Sequence, residues 1–410
     1  MNVLVVNAGS SSLKYQLFDT TSATVYAKGI CERIGTEGSL IEHKHLIKGL
    51  KVEESHAMPT HAEAMKFVVE KLLDPEYGCI SSMDEIEAVG HRVVHGGAFF
   101  SESVILTDEV LEKLKLCHDF APLHTPAHIQ GIQGCLAVMP DKPQVLVFDT
   151  AFHQSMAPEA YMYALPYELY EKYGVRRYGA HGTSHRFVAA EMQKILGRVE
   201  GTKIVTCHIG NGSSISAVKD GKVVDTSMGF TPLAGVEMGT RCGDIDPAIV
   251  PFMMEKLNLS TSEVNDLMNK KSGFLGVTSG YSSDSRDLEK AIEEGPSNPN
   301  YEKSNLVVNM LKNHIKKFIG AYTAEMNGLD AVVFTAGIGE NNPHLRELVC
   351  EDMEYFGIKI NKELNAKMLR QSNIVKLSTD DSKVAVYLIP TNEELVIARD
   401  TEALVKAAGK

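Results

Sequence analysis

Residues 7–14 read NAGSSSLK, which puts a glycine, three serine hydroxyls and a lysine within one turn of two short apolar runs. Gly9 permits a tight turn, and small side chains let an anion approach backbone N–H groups, with Lys14 adding a positive charge beyond. The spacing is not that of a Walker A loop, so phosphate binding and a plain serine-rich hairpin both fit. Residues 207–214 (CHIGNGSS) repeat the arrangement, with His208, Ile209, Gly210, Asn211 and Gly212 in the turn. A third glycine turn, AGIGEN (336–341), follows the apolar run 330–335 and carries Gly337, Ile338, Gly339, Glu340 and Asn341. Three such turns fit a nucleotide held from several sides, because ligands of open α/β sheets gather at strand carboxyl ends.

Fixed charges accompany them. Arg92 lies in GHRVVHGG (90–97), between apolar residues and glycines, a poor setting for a solvated cation and a good one for a carboxylate-binding or ion-paired guanidinium. Arg241 repeats this in GTRCGDIDP (239–247), and His181 sits between Ala180 and Gly182 in YGAHGTSH (178–185). Asp149 ends the apolar run QVLVF (144–148), where a carboxylate could hold a metal, a water or the cap of a helix. Glu393 follows the run 384–389 and opens a helix, where it would also suit the helix dipole. Each motif alone is ambiguous. As a set they suit phosphoryl transfer, in which positioning and charge neutralisation supply most of the catalysis.

The elements that must position these groups are short strands alternating with helices. Strands are expected at 2–7, 13–18, 144–149, 203–209, 330–335 and 384–389. Helix starts are expected at Thr60 with Glu63, a capping box, and at Thr125 before Pro126, Asp246 before Pro247 and Asn342 before Pro343. This pattern predicts an α/β fold with largely parallel sheets. Residues 278–300, rich in Ser, Gly, Asp, Asn and Pro, read as a mobile loop. The echo between 5–12 and 207–214 suggests two related domains, its second runs ending at Asp19 and near Asp225; coincidence would also produce so short a match.

Composition bounds the function. With 410 residues, 44% hydrophobic and 23% charged, the chain has material for two cores. A net charge of −12, from 41 basic and 53 acidic side chains, argues against nucleic acid as a partner. Seven scattered cysteines without a CxxC pair read as reduced thiols. No signal peptide core and no run of ~18 apolar residues is present, so a cytoplasmic protein with no membrane association is expected.

VVNAGSSSLK, GHRVVHGG, FDTAFH, YGAHGTSH, HIGNGSS, TRCGDIDP, SSDSRDL, AGIGEN and PTNEE resemble, in order and spacing, the motifs of the acetate kinase family, over residues 2 to about 400. The resemblance implies two duplicated RNase H-like (actin-like ATPase) domains around a nucleotide cleft. One would comprise 1–150 completed by 381–410, the other 151–380. It also implies a homodimer, and transfer of the ATP γ-phosphoryl group to acetate, or a similar short-chain carboxylate, with magnesium, or manganese in its place. Position by position it implies Asn7 and Glu393 as metal ligands, Lys14 and the turn 208–212 on the nucleotide phosphates, and Asp284, Ser285, Arg286 and 337–341 on the adenosine side. Arg92 would bind the carboxylate, and Val94, Leu123 and Pro232 would enclose the substrate methyl. Asp149 would be the catalytic acidic residue, and His181 and Arg241 would stabilise the transferring group. The family usually carries Phe before the motif His, where this chain has Ala180, which keeps propionate or butyrate as rival substrates. An actin- or Hsp70-like ATPase switch is the rival from another class.

Overall fold

The computed structural model describes residues 1–122, 124–369 and 372–409. The chain forms two compact units, Met1–Phe152 with Asn392–Lys410, and His153–Thr391.

The first unit is built on an eight-stranded sheet. Its strands are β1 (Asn2–Ala8), β2 (Ser12–Asp19), β3 (Thr24–Glu32), β4 (Leu40–His45), β5 (Leu50–Ser55), β6 (Ala88–Val93), β7 (Val104–Ile105) and β8 (Gln144–Phe148). They lie in the order β5-β4-β3-β2-β1-β6-β8-β7. Strands β1 to β5 form an antiparallel meander, while β6 and β8 join β1 in parallel. Alternation sends Leu4 and Val6 into a core with Met65, Val68 and Leu72 of the helix His61–Leu73 and Cys135 of the helix Thr125–Val138. The last helix, Glu393–Ala407, packs on β1, β6 and β8. Its approach explains Gly90: a Cβ there would lie 2.5 Å from Thr401 Oγ1 and 2.7 Å from Ile397 Cγ2.

The second unit carries β9 (Lys203–Ile209), β10 (Ser213–Lys219), β11 (Lys222–Thr226), β12 (Ala331–Thr335), β13 (Val375–Lys376) and β14 (Ala385–Leu388), in the order β11-β10-β9-β12-β14-β13. The hairpin β9–β10 is antiparallel, and β12 and β14 join β9 in parallel. The run β3-β2-β1-β6-β8 of the first sheet therefore has the same order and directions as β11-β10-β9-β12-β14 of the second. This is the duplicated actin-like ATPase architecture, and the serine-rich echo marks the same hairpin turn in each copy. Asp225 falls on β11, one strand later than the echo suggested. Val205, Cys207, Val332 and Phe334 meet Leu311, Ile315 and Ile319 of the helix Tyr301–Glu325 in the core.

Several local expectations are corrected. Thr60 caps its helix through the amide of Ala62, while Glu63 meets the Thr60 hydroxyl, so the reciprocal box is not formed there. Thr125 is the first helical residue, not the cap, and its hydroxyl turns to the carbonyl of Cys117. Asp246 closes a turn through the amide of Ala248, and the helix starts later, at Ile249. Asn342 does cap its helix, accepting from the amide of Leu345 at 2.8 Å. The stretch 278–300 contains the helix Ser285–Glu293, because Asp284 caps it and Leu288 and Ala291 give it a buried face. Residues 381–391 belong to the second unit because β14 pairs with β12, so the chain crosses back at Thr391/Asn392. All seven cysteines are free thiols. Among the described residues, no helix is long and apolar enough to cross a membrane.

Candidate active site

In the first unit, β6 delivers Arg92 and the end of β8 delivers Asp149. Arg92 Nη2 donates to Asp149 Oδ2 at 2.7 Å, and Nε donates to the same oxygen at 3.2 Å. Asp149 is 1% exposed, whereas the Arg92 side chain keeps 22% of its surface open. Glu393, first residue of the last helix, brings Oε2 to 3.8 Å from Arg92 Nε. Asn392 caps that helix through the amide of Leu395, which fixes where Glu393 leaves the backbone. The charge of Asp149 outweighs burial and holds the Arg92 guanidinium firmly protonated. Burial lifts the Glu393 carboxyl to about 7; Arg92 opposes this, while Asp149 and Glu394 add to it.

Val6 is in register with His91, which sets Asn7 abreast of Arg92 on the neighbouring strand. Asn7 pairs across the hairpin with Lys14, and both line an opening of about 200 Å³ that also holds Lys28, Lys44 and Glu394. Val94 donates its amide to His128 Nε2 at 3.2 Å and is 9% exposed. Leu123 lies outside the described residues.

In the second unit four segments converge. A Cβ on Gly212 would sit 3.2 Å from His181 Nε2 and 3.7 Å from Arg241 Nη1, so the β9–β10 turn touches both. A Cβ on Gly210 would sit 3.8 Å from Ala336 Cβ and 4.0 Å from the Gly337 amide nitrogen, which joins the 336–341 turn to it. Gly239 donates its amide to the carbonyl of Asn211 and lies against Ser283, next to Asp284. Gly337 opens to free space and Asn211 is exposed, whereas Ile209 and Ile338 are core residues whose side chains face inward. Asp284 caps its helix through the amide of Arg286 and pairs with the Arg286 guanidinium, so those two groups occupy each other. Ser285 opens that helix.

His181 adopts left-handed backbone (φ 59°), a strained state for a non-glycine residue, directly before the helix Gly182–Leu196. Its ring stacks on His208 with centroids 4.1 Å apart, and Nδ1 lies 2.9 Å from Ser214 Oγ. Arg241 donates through Nη1 to the carbonyl of Pro232 at 3.1 Å and has no carboxylate partner among the described residues. Burial lowers its pKa. A half-buried guanidinium without a counter-ion, beside an imidazole and a glycine turn, is suited to an anion. Ala180 is buried with Met228 and Met238, and the Met238 sulfur lies 3.7 Å from Arg241 Nη1.

The supports of these groups were not evident in the sequence. The Arg241 loop is clamped by backbone bonds from Ser272, Phe274 and Leu275 to Thr240, Met238 and Gly239. Gly273 (φ 58°) allows this, since a Cβ there would lie 2.0 Å from the carbonyl oxygen of Met238. The 336–341 turn is held twice. Glu340 Oε1 accepts from the amides of Ala336 (2.8 Å) and Thr391 (3.2 Å). Arg346, fully buried, donates to the carbonyls of Gly339, Glu340 and Met368 and to Asn365 Oδ1. Its pKa falls to about 10 through burial. A charge in an apolar helix face was the only sequence signal for Arg346.

The sequence pattern of the Acetokinase family matches residues 2–399. An acetate kinase of Clostridium novyi is 54% identical over 407 residues, 99% of each chain. The crystal structure of an acetate kinase from Porphyromonas gingivalis aligns with a TM-score of 0.93 at 47% identity, over 98% of this chain and 99% of that one. A propionate kinase structure from Francisella tularensis aligns with a TM-score of 0.89 at 38% identity, over 98% and 99%.

Proposed function

The chain belongs to the acetokinase family, and from that premise we propose that it transfers the γ-phosphoryl group of ATP to acetate in line, giving acetyl phosphate and ADP. It does so as a cytoplasmic homodimer. The observation that carries the reading is Arg241, a guanidinium with no carboxylate partner among the described residues, set against Gly212 and beside His181. Acetate is already ionised at pH 7, because a simple carboxylic acid has a pKa near ~4–5. No general base is needed. The obstacle is the approach of one anion to another, and the remedy is fixed positive charge.

Arg92 takes the carboxylate with its open face, while Asp149 holds its other face and abstracts no proton. Lys14 and the turn 208–212 contact the phosphates, and Asp284–Arg286 with 337–341 contact the adenosine side. His181 and Arg241 offset charge on the phosphoryl oxygens. Val94, Leu123 and Pro232 are the residues assigned to the substrate methyl group.

A magnesium ion, with manganese as substitute, fits the first unit. Glu393, Asp149 and the amide oxygen of Asn7 are hard donors, and a bound cation would offset the burial that raises the Glu393 carboxyl. Among the described residues no set of three or more His, Cys, Asp or Glu could hold a metal ion by itself. Asn7 and Glu393 would hold it, and when bound it neutralises phosphate charge.

Trapping the product with hydroxylamine tests the reading. Formation of a hydroxamate from acetate and ATP supports it; ATP hydrolysis without hydroxamate would indicate an ATPase switch. A second reading, transfer to propionate, rests on the small side chain of Ala180. Relative kcat/KM for acetate, propionate and butyrate decides, since one methylene in such a pocket is worth about 1–3 kcal/mol.

A further inference from the structure

Behind His181 lies a file of buried hydroxyls and imidazoles that the reaction as described does not use. Ser214 Oγ stands 2.9 Å from His181 Nδ1 and 2.7 Å from His185 Nε2. His185 Nδ1 in turn stands 2.7 Å from Thr206 Oγ1. Ser214, His185 and Thr206 are all 0% exposed. Burial pushes the His185 pKa well down, with His153 and His208 adding to the effect, so this imidazole is neutral. The file lies on two adjacent strands and one helix: Thr206 on β9, Ser214 on β10 and His185 in Gly182–Leu196.

A hydroxyl has one proton and a neutral imidazole has one N–H. Ser214 Oγ is buried and bonds to these two ring nitrogens alone among the described residues, so its proton goes to one of them and it accepts from the other. The file can therefore run in only two directions. In one, Thr206 donates to His185 Nδ1, His185 Nε2–H donates to Ser214, and Ser214 donates to His181 Nδ1. Uncharged His181 then carries its proton on Nε2. In the other, every proton is reversed, Thr206 must donate to the carbonyl of Ser216 at 3.4 Å, and uncharged His181 presents a lone pair at Nε2. Both directions keep the 2.7 Å contact; they differ in the Thr206 proton, which enters that bond in the first direction and only a 3.4 Å contact at the edge of bonding in the second, and only the first turns a proton, not a lone pair, toward phosphoryl oxygens at Nε2.

Nε2 is the nitrogen that matters, because it is the one beside Gly212. Stacking on His208, itself tied through Nδ1 to Ser184 Oγ at 2.7 Å, holds the ring plane. We propose that Thr206, His185 and Ser214 are positioning residues that hold His181 as its Nε2–H tautomer, so that it donates a hydrogen bond to the transferring phosphoryl group without being charged. This rests on the phosphoryl-transfer reading for its acceptor and on the hydroxyl–imidazole file for its tautomer. Among the described residues, ring and side-chain contacts place His208, His185, His153 beyond it, and Arg241 as titratable or charged groups around the His181 ring within this unit.

The test uses full-length protein labelled with ¹⁵N-histidine, with His181→Asn to assign the signal. Proton–nitrogen spectra read which ring nitrogen of His181 is protonated near pH 8, and kcat and KM are followed from about pH 6 to about 9, a span around the ordinary imidazole pKa. The wild type should show an Nε2–H and a kcat that does not fall as pH rises through that value. Ser214→Ala should lose the fixed tautomer and about 10²-fold in kcat at pH 8, the size of one lost preorganised donor, with KM for ATP nearly unchanged. Its activity should recover toward low pH as His181 becomes charged. Ser214→Thr, which keeps the hydroxyl, should restore both spectrum and profile, and Thr206→Val should act in the same direction as Ser214→Ala. A wild-type His181 with bare Nε2, or a Ser214→Ala enzyme with wild-type kcat and pH profile, would overturn the proposal. A wild type that forms no acyl phosphate would overturn the acceptor while the spectrum still decided the tautomer, so the two failures are distinguishable.

Discussion

Arg92 and Asp149 are joined by three hydrogen bonds, Nη2 and Nε to Oδ2 at 2.7 and 3.2 Å and Nε also to Oδ1 at 3.4 Å, with the carboxylate buried and the Arg92 side chain 22% exposed. The pair is asymmetric: one member is held, the other is presented. A substrate carboxylate meeting Arg92 thus meets a cation whose rotamer has already been chosen.

Arg92→Ala should raise KM for acetate far more than it lowers kcat. It also strands a buried charge, at a cost of about 3 kcal/mol, the low end for such pairs because Arg92 is partly solvated. Steady-state kinetics with a parallel urea melt separates the two effects; an unchanged KM for acetate would remove Arg92 from substrate binding.

Asp149→Asn keeps the shape of the clasp but removes its charge. We expect lower kcat and a loosened Arg92, with the shape of the pH–rate profile retained, because the substrate is deprotonated before it binds. Disappearance of a basic limb in this variant would reinstate proton abstraction.

Arg241→Ala should depress kcat by roughly 10²–10³, with a smaller effect on KM for acetate. Arg241→Lys should recover little, since an ammonium lacks the planar fork of donors. A normal kcat in Arg241→Ala would exclude it from the transition state.

Arg346→Met tests the support beneath the 336–341 turn. It removes donors from four acceptors, two of them fully buried and each of those worth about 1–3 kcal/mol when left unpaired, so the second unit should lose stability and KM for ATP should rise. KM for acetate should hardly move. Equal increases in both would show that Arg346 supports the fold as a whole and not the nucleotide side.

Acid sensitivity should come from buried neutral histidines. Burial pushes His91 down to about 4, a hydrogen bond to Gln144 opposing, and pushes His128 down to about 3, helped by Arg92. Between those values and about 6.5 the unfolded chain binds the protons and the folded chain does not, so stability falls as pH falls through this window. Each pH unit costs about 1.4 kcal/mol per group at most. His128→Gln should flatten the dependence of the urea midpoint on pH between about 6.5 and 4; an unaltered slope would assign the acid transition to other groups.

The sequence by itself determined the chemistry-bearing residues and the strands that carry them. Arg92, Asp149 and the glycine turns stand at the ends of apolar runs, and those runs are buried along nearly their whole length, as strands covered on both faces must be. The repeated hairpin was legible because the same turn must be made twice. Only the tertiary structure decided what holds each group. Gly273 lies more than thirty residues from Arg241 in sequence, yet its missing side chain is what lets the Arg241 loop close; Arg346 and Glu340 hold the third turn through backbone atoms, which leave no pattern of residue types. Ser214, His185 and Thr206 come from three separate elements, and no spacing rule connects them. Hydroxyls and carbonyls at such distances act through direction and burial, and both are properties of the folded chain alone.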